Sequence, residues 1–472
     1  MHAKAIVGMS VLLLIGIPGL AFGQNLTPLE ELGQFMYFDE NLSTPPGQSC
    51  ASCHHPDAGF ADPDQNLPVS QGIIAILFGN RNSPSSAYAA FSPDFHWNLT
   101  DSMYIGGQFW DGRALDLVEQ AKGPFLNPLE MHNNTKKQVI KDVWRADYAD
   151  LFREVFGESI FENIDAAYDS MAVAIGAFEE ASVLNQFTSK FDYYLQGLAT
   201  FTEQESLGLA LFNDEEAGNC AACHPSEPGP YADDAVFTDY SYDNLGIPKN
   251  WGNPFLYLPH AFNPLGDDFV DYGLGAIVGE AGEMGKFKVM TLRNIAATAP
   301  YGHNGFFETL EEIVDFYNTR DVPGAGWDPP EVPENMNTEE LGDLGLNDDE
   351  VNAIVAFLET LTDGYVPTGN VASASISANL ITAAPSAFAL NQNYPNPFNP
   401  ATTIHFVLPE HSHAKLTVLD VQGRTVATLV DGWREAGAHE VTFDARGLAS
   451  GVYLYKLEAG QKSASGKLVL LK

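Results

Sequence analysis

Cysteine is scarce in this chain: 472 residues hold four, and all four fall in two copies of one pentapeptide. These are Cys50-Ala51-Ser52-Cys53-His54 and Cys220-Ala221-Ala222-Cys223-His224. No thiol is left for a disulfide, a zinc cluster or a nucleophile. Basic residues are also few, 23 Lys and Arg against 62 Asp and Glu, for a formal net charge of −39. Such a field repels nucleic acid and anionic lipid and excludes polyanion binding. Beyond the N-terminus no run is long and apolar enough to cross a bilayer, so the chain reads as not an integral membrane protein. Strand-like alternation is sparse before residue 390.

What is present begins with a charged start at Met1–Lys4, an apolar run from Ala5 to Leu20, and small residues up to Gly23. That pattern reads as a secretory signal peptide over 1–23. The acidity is uneven. Residues 24–392 carry fourteen Lys/Arg against fifty-five Asp/Glu, net −41, whereas 393–472 carry eight against seven, net +1. An acidic surface favours encounter with a cationic redox partner; adaptation to a salty habitat would leave the same mark.

C-x-x-C-H is the attachment signature of a c-type haem. Two thiols add across the vinyl groups, and the adjacent histidine reaches the iron. A zinc knuckle would need four ligands from one local cluster, which two distant sites do not supply. The sequence therefore implies two covalently bound haems.

A weak internal repeat precedes each motif: Thr27, Leu32, Gly33 and Asp39 recur as Thr202, Leu207, Gly208 and Asp214. Both stretches, Leu29–Phe38 and Glu203–Phe212, read as amphipathic helices leading into a haem-binding loop. Further helices are expected over Glu162–Leu184 and Asn347–Leu361, the second opened by a capping box from Asn347 to Glu350. The expected fold is mainly α: two cytochrome c-like domains, 24–195 and 196–363, followed by a small β-sandwich. Residues 364–392 read as an Ala/Ser/Thr-rich linker. Beyond it, period-two runs over Thr402–Leu408, Lys415–Leu419, Val426–Val430, His439–Phe443, Val452–Leu457 and Lys467–Leu471 make up the sandwich at 393–472.

An iron held by one histidine leaves a sixth position whose occupant sets its function. The segments Gln108–Arg113 and Gln120–Met131 are dense in groups suited to an open site. A carboxylate over the distal face could move a proton between peroxide oxygens, and an indole could shorten an electron's route between haems. Read alone, Glu130 could equally be a surface carboxylate, and Trp110 and Tyr317 core residues.

Both C-x-x-C-H motifs, Asn82-Ser83-Pro84, Phe109–Ala114, Gln120–Met131 and Phe287–Gly305 together resemble the bacterial di-haem cytochrome c peroxidase family, which includes the MauG-type enzymes. The resemblance covers about residues 26–363. It implies that His54 and His224 are proximal ligands and Glu130 the distal acid/base. Gln120 and Pro124 would line the pocket, Trp110 would lie on the inter-haem path, and a structural calcium would take oxygens from Asn82, Thr298 and Pro300. A homodimer is left open by the family, with no interface legible.

Two departures from the family pattern matter. The stretch Ser70-Gln71-Gly72-Ile73 lacks the distal histidine often found there, although His55 and His96 are near in sequence, so the first haem is expected to be five-coordinate. After Thr309-Leu310-Glu311-Glu312, where typical members place an axial methionine, this chain has Tyr317. MauG-type enzymes use a tyrosine there, and a phenolate stabilises ferric iron. Met284 and Met290 are the fallback ligands.

Asn393–Pro400, the Asp420–Arg424 turn and Ser450–Lys456 resemble the C-terminal sorting domain of type IX secretion. The implied route runs through the periplasm to the cell surface or beyond. The resulting expectation is a secreted peroxidase that reduces hydrogen peroxide to water with electrons from a small redox protein or another donor. Its rivals are a MauG-like oxidase of a protein side chain or organic substrate, and a plain electron-transfer cytochrome.

Overall fold

Thr27 and Thr202 start two helices by the same device. Each hydroxyl accepts from the backbone three residues on, and Glu30 and Glu205 reach back to the cap. The computed structural model describes residues 26–367 and, with short interruptions, 389–470. The expected signal peptide lies outside the described residues. Residues up to 370 form one unit and those from 371 a second.

In the first unit, helix Pro28–Tyr37 packs on Ile164–Glu180, and helix Glu203–Asn213 packs on Asp348–Glu359. The crossings use the repeated glycines. A Cβ on Gly33 would overlap the Ala174 carbonyl and Phe178, and one on Gly208 would overlap the Ala353 carbonyl and Phe357. Glycine at these two points lets the helix backbones touch. The internal repeat is thus a repeated helix crossing, with one difference: Leu32 is fully buried, whereas Leu207 is exposed.

Two hydrophobic cores form around these pairs. One joins Leu32, Met36, Phe125, Val139, Phe152, Met171, Ile175 and Phe178; the other joins Phe212, Phe237, Phe307, Phe316, Ile354 and Phe357. The capping box at Asn347 is present, and Val351, Ile354, Val355 and Leu358 are buried along Asp348–Glu359. Among the described residues of this unit the strands are short pairs, such as His96–Asn98 with Met103–Ile105.

In the second unit, a four-stranded antiparallel sheet runs in the order Lys462–Leu470, Gly451–Ala459, Ser412–Leu419, Thr425–Arg434. A three-stranded sheet runs Ala389–Leu390, Ala401–Leu408, Gly437–Asp444. Alternate residues of both enter one core, among them Ile404, Phe406, Leu416, Val418, Leu457 and Leu468. The expected linker differs at its end, because Ala389 and Leu390 pair with Val407 and Phe406. No helix among the described residues is long and apolar enough to cross a membrane.

Candidate haem cavities and the distal pocket

Each C-x-x-C-H motif forms a single 3-10 turn, Cys50–Ser52 and Cys220–Ala222. The histidine's own N–H then folds back onto the first cysteine carbonyl, at 2.9 Å in both. This closes the loop so that two thiols and an imidazole face the same space. His54 Nδ1 lies 3.3 Å from the Phe60 carbonyl, and His224 Nδ1 lies 2.7 Å from that of Phe237. A bond at Nδ1 fixes the tautomer that leaves Nε2 free for a metal. Phe60 and Phe237 both have left-handed backbones, φ 61° and 53°. For bulky residues that conformation is strained and persists only where the surroundings hold it. Here it aims a carbonyl at the histidine of each motif.

The second motif opens into a cavity with an empty volume of ≈ 1540 Å³, lined by Cys220, Cys223 and His224 and by apolar side chains including Leu245, Ile247, Leu292 and Ile313. The first opens into ≈ 1190 Å³ lined by Cys50, Cys53 and His54. Burial pushes the Cys53 and Cys220 thiols up to about 12, and the His224 imidazole down to about 4. Neutral thiols beside a neutral imidazole, in a largely apolar slot, fit a covalently attached haem.

The first cavity gathers residues that are distant in sequence. Gln120, Pro124 and Glu130 line it with His54, and so do Phe109, Arg113 and Glu179. Glu130 Oε1 accepts a 2.8 Å hydrogen bond from Asn127. Burial raises its carboxyl above the usual range, against the lowering pull of Arg113 and of that hydrogen bond. The Arg113 guanidinium stands 3.6 Å from the Phe109 ring centre. Neither His55 nor His96 reaches this cavity: His55 Nδ1 accepts from the Asp57 N–H, and His96 is turned to its own loop at the Asp94 carbonyl. Ser70 and Gln71 from the histidine-free stretch do line it.

Trp110 borders both cavities, together with Asn82–Ser85, and its indole donates to the Asn82 carbonyl at 2.9 Å. Thr298 and Pro300 border the second cavity with Asn82, whose side-chain amide touches the Pro300 carbonyl. Tyr317 lies on helix Leu310–Thr319 and lines the second cavity with His224; among the described residues its hydroxyl has no hydrogen-bond partner. Met290 also lines that cavity, whereas Met284 does not.

Sequence reasoning passed over several charged groups here. Glu179 is buried against the first cavity with Oε2 unpartnered, and burial, with Glu180 adding, pushes it up to about 8. Its only signal was an acid at the helix spacing of Ile175, on a face otherwise apolar. Arg81 forms a buried network with Asp271 at 2.7 Å and Asp111 at 2.6 Å; against burial, its charge holds Asp271 down to about 2. His303 is stacked on Phe287, with ring centres 3.6 Å apart. Burial pushes it down to about 3.

Comparison with known proteins agrees with this architecture. A family model described as "Di-haem cytochrome c peroxidase" matches residues 27–200, and one described as "Secretion system C-terminal sorting domain" matches 392–471. The chain is 38% identical to the methylamine utilization protein MauG of Paracoccus denitrificans, covering 74% of this chain and 94% of that protein. It is 33% identical to the cytochrome c551 peroxidase of Nitrosomonas europaea, covering 71% and 80%. Among solved structures, the diheme peroxidase BthA of Burkholderia thailandensis superposes with a TM-score of 0.64 at 31% identity, covering 72% of this chain and 87% of that one. The sorting domain marks the chain for export. This protein is an oxidoreductase of the di-haem cytochrome c peroxidase and MauG family.

Proposed function

We propose that this protein is a secreted peroxidase that reduces hydrogen peroxide to water with electrons from an external donor. It would carry a haem on Cys50, Cys53 and His54 and a second on Cys220, Cys223 and His224. The observation that carries the reading is the meeting of Glu130, Gln120 and Pro124 with His54 in one cavity, while Trp110 borders that cavity and the next. Bound there, the haems supply the redox-active irons. Glu130 takes the proton from peroxide and returns it to the departing oxygen, so that water leaves. Gln120 and Pro124 shape the pocket, and Asn127 orients the carboxyl. Trp110 bridges the two cavities for inward electron transfer. The absence of a second histidine among the described lining residues supports a first haem open to peroxide.

Domains at 24–195 and 196–363, each with one haem, accord with the repeated helix crossing, and two sheets around one core accord with a sandwich at 393–472. Asn82, Thr298 and Pro300 offer oxygens suited to a hard cation such as calcium; the Asn82 amide would turn its oxygen inward.

Tyr317 favours a second reading. A phenolate at the second iron stabilises oxidised states, which suits a MauG-like oxidase acting on a protein side chain or organic substrate. Peroxide titration of the ferric protein, followed optically and by electron paramagnetic resonance, separates the readings. Steady turnover with a reduced cytochrome supports the peroxidase. Long-lived oxidised spectra without turnover support the oxidase. No spectral response rejects both and leaves an electron carrier.

A further inference from the structure

A hairpin outside both cavities carries a stack of aromatic rings that the peroxidase reading does not use. Trp97 and Tyr104 are cross-strand partners on His96–Asn98 and Met103–Ile105, with ring centres 4.8 Å apart. Tyr104 lies parallel to Phe95 at 5.3 Å, and Phe95 meets Tyr242 edge-on at 6.1 Å. The stack runs from solvent inward: Trp97 is 42% exposed and Tyr242 only 7%. Its inner end rests on the turn that carries Trp110. A Cβ at Gly112 would collide with the Tyr242 hydroxyl and the Phe95 ring, so this turn closes against the stack only with glycine. The strand partner of Tyr242 is Lys288, whose N–H donates to the Trp110 carbonyl at 2.8 Å.

The two phenols differ in their proton partners. Tyr104 donates to the Glu280 carboxylate at 2.8 Å, within the reach of a general base. Tyr242 donates to the Gly106 carbonyl, which cannot take a proton at neutral pH. Only Tyr104 can therefore lose an electron and release its proton to a neighbour in the same event.

We propose that Trp97 and Tyr104 form a surface redox site where a cationic one-electron donor, too large for the distal pocket, is oxidised. The proposal rests on the peroxidase reading for its oxidising equivalents. In each event Tyr104 gives one electron inward along Phe95 and Tyr242 and passes its phenolic proton to Glu280, leaving a neutral phenoxyl and a carboxylic acid. The donor at Trp97 returns one electron, and Glu280 returns the proton. Two events supply the two electrons that one peroxide needs; the two protons that complete two waters come from solvent. Glu280 and Glu283 near Tyr104, within the strongly acidic 24–392 region, set the charge preference of the donor.

The test uses the holoprotein, ring-deuterated tyrosine and peroxide without added donor, with rapid-freeze paramagnetic resonance and peptide mass spectrometry. The expected result is a tyrosyl signal narrowed by deuteration and absent in Tyr104→Phe, a variant that keeps the ring stack. Oxidation at Trp97 is expected to exceed, several-fold, that at the comparably exposed Trp144 and Trp251. In Glu280→Gln, which keeps a hydrogen-bond acceptor but not the base, the signal should form several-fold more slowly. Oxidation of ferrous cytochrome c, a basic donor, should weaken with rising salt in the wild type and drop several-fold in Trp97→Ala. A signal that survives Tyr104→Phe, or oxidation shared evenly among exposed tryptophans, overturns the proposal and leaves the peroxidase reading standing. If peroxide leaves the haem spectra unchanged, the peroxidase reading fails first and this one with it.

Discussion

Replacing Glu130 by Gln removes the proton-transfer group that we assign to the first cavity. The side chains have nearly the same size, so the cavity walls at Pro124, Phe109 and Arg113 stay filled. The amide oxygen can still accept the 2.8 Å bond from Asn127, which limits the stability change to about 1 kcal/mol, the net worth of an ordinary hydrogen bond. What disappears is the exchangeable proton. General acid–base catalysis by a positioned group contributes about 10²–10⁴-fold, so the second-order rate of peroxide with the ferric protein should fall by about that factor, with the resting spectrum unchanged. In the wild type, taking the first proton needs the ionised carboxylate. Because burial raises the Glu130 carboxyl, the rate should decline as pH falls through a value above the ordinary glutamate range near ~4.3, and the variant should lose that dependence. Stopped-flow mixing across pH measures both. A rate within a few-fold of wild type, or an unchanged pH profile, would refute the assignment of Glu130 as the acid/base.

Tyr317→Phe should change the optical spectrum of the second haem alone, and Tyr317→Met should raise its potential, because a thioether favours ferrous iron; redox titration checks this. Burial pushes Glu179 from an ordinary 4.5 up to about 8 in the folded chain, so the folded state binds the extra proton and stability falls as pH rises between those values. Thermal unfolding of Glu179→Gln should lose that decline, on the order of several kcal/mol. Gly33→Ala or Gly208→Ala forces a methyl into a facing backbone carbonyl and should destabilise by about 1–3 kcal/mol in denaturant titration. Chelation with EGTA should shift the spectra or lower the melting temperature if calcium joins Asn82, Thr298 and Pro300, and added calcium should restore them.

Chemistry written in adjacent residues was legible before the fold. Two C-x-x-C-H motifs, the cap at Asn347 and the alternating tail depend on contacts a few residues apart; the caps at Thr27 and Thr202 are equally local but were read only as repeat positions. The recurrence of Gly33 as Gly208 was visible as a pattern, but its cause, a carbonyl pressed against each glycine, lies on another helix. The pattern misled where burial is decided at long range. Leu207 matches Leu32 in sequence yet faces solvent, and Ala389–Leu390, read as linker, found a strand partner in Ala401–Leu408.

The sequence alone determined where two thiols and a histidine stand together, which are the proposed haem attachment points, and which tail directs export, because those depend on local order along the chain. Tertiary structure alone decided that Glu130 shares a cavity with His54, that Trp110 borders two cavities, and that Glu179 keeps one carboxyl oxygen unpartnered among the described residues. It also stacked Trp97, Tyr104, Phe95 and Tyr242 into one path. These are facts of packing, in which segments far apart in the chain exclude water from one another and so set which groups meet, which are buried and which keep their protons.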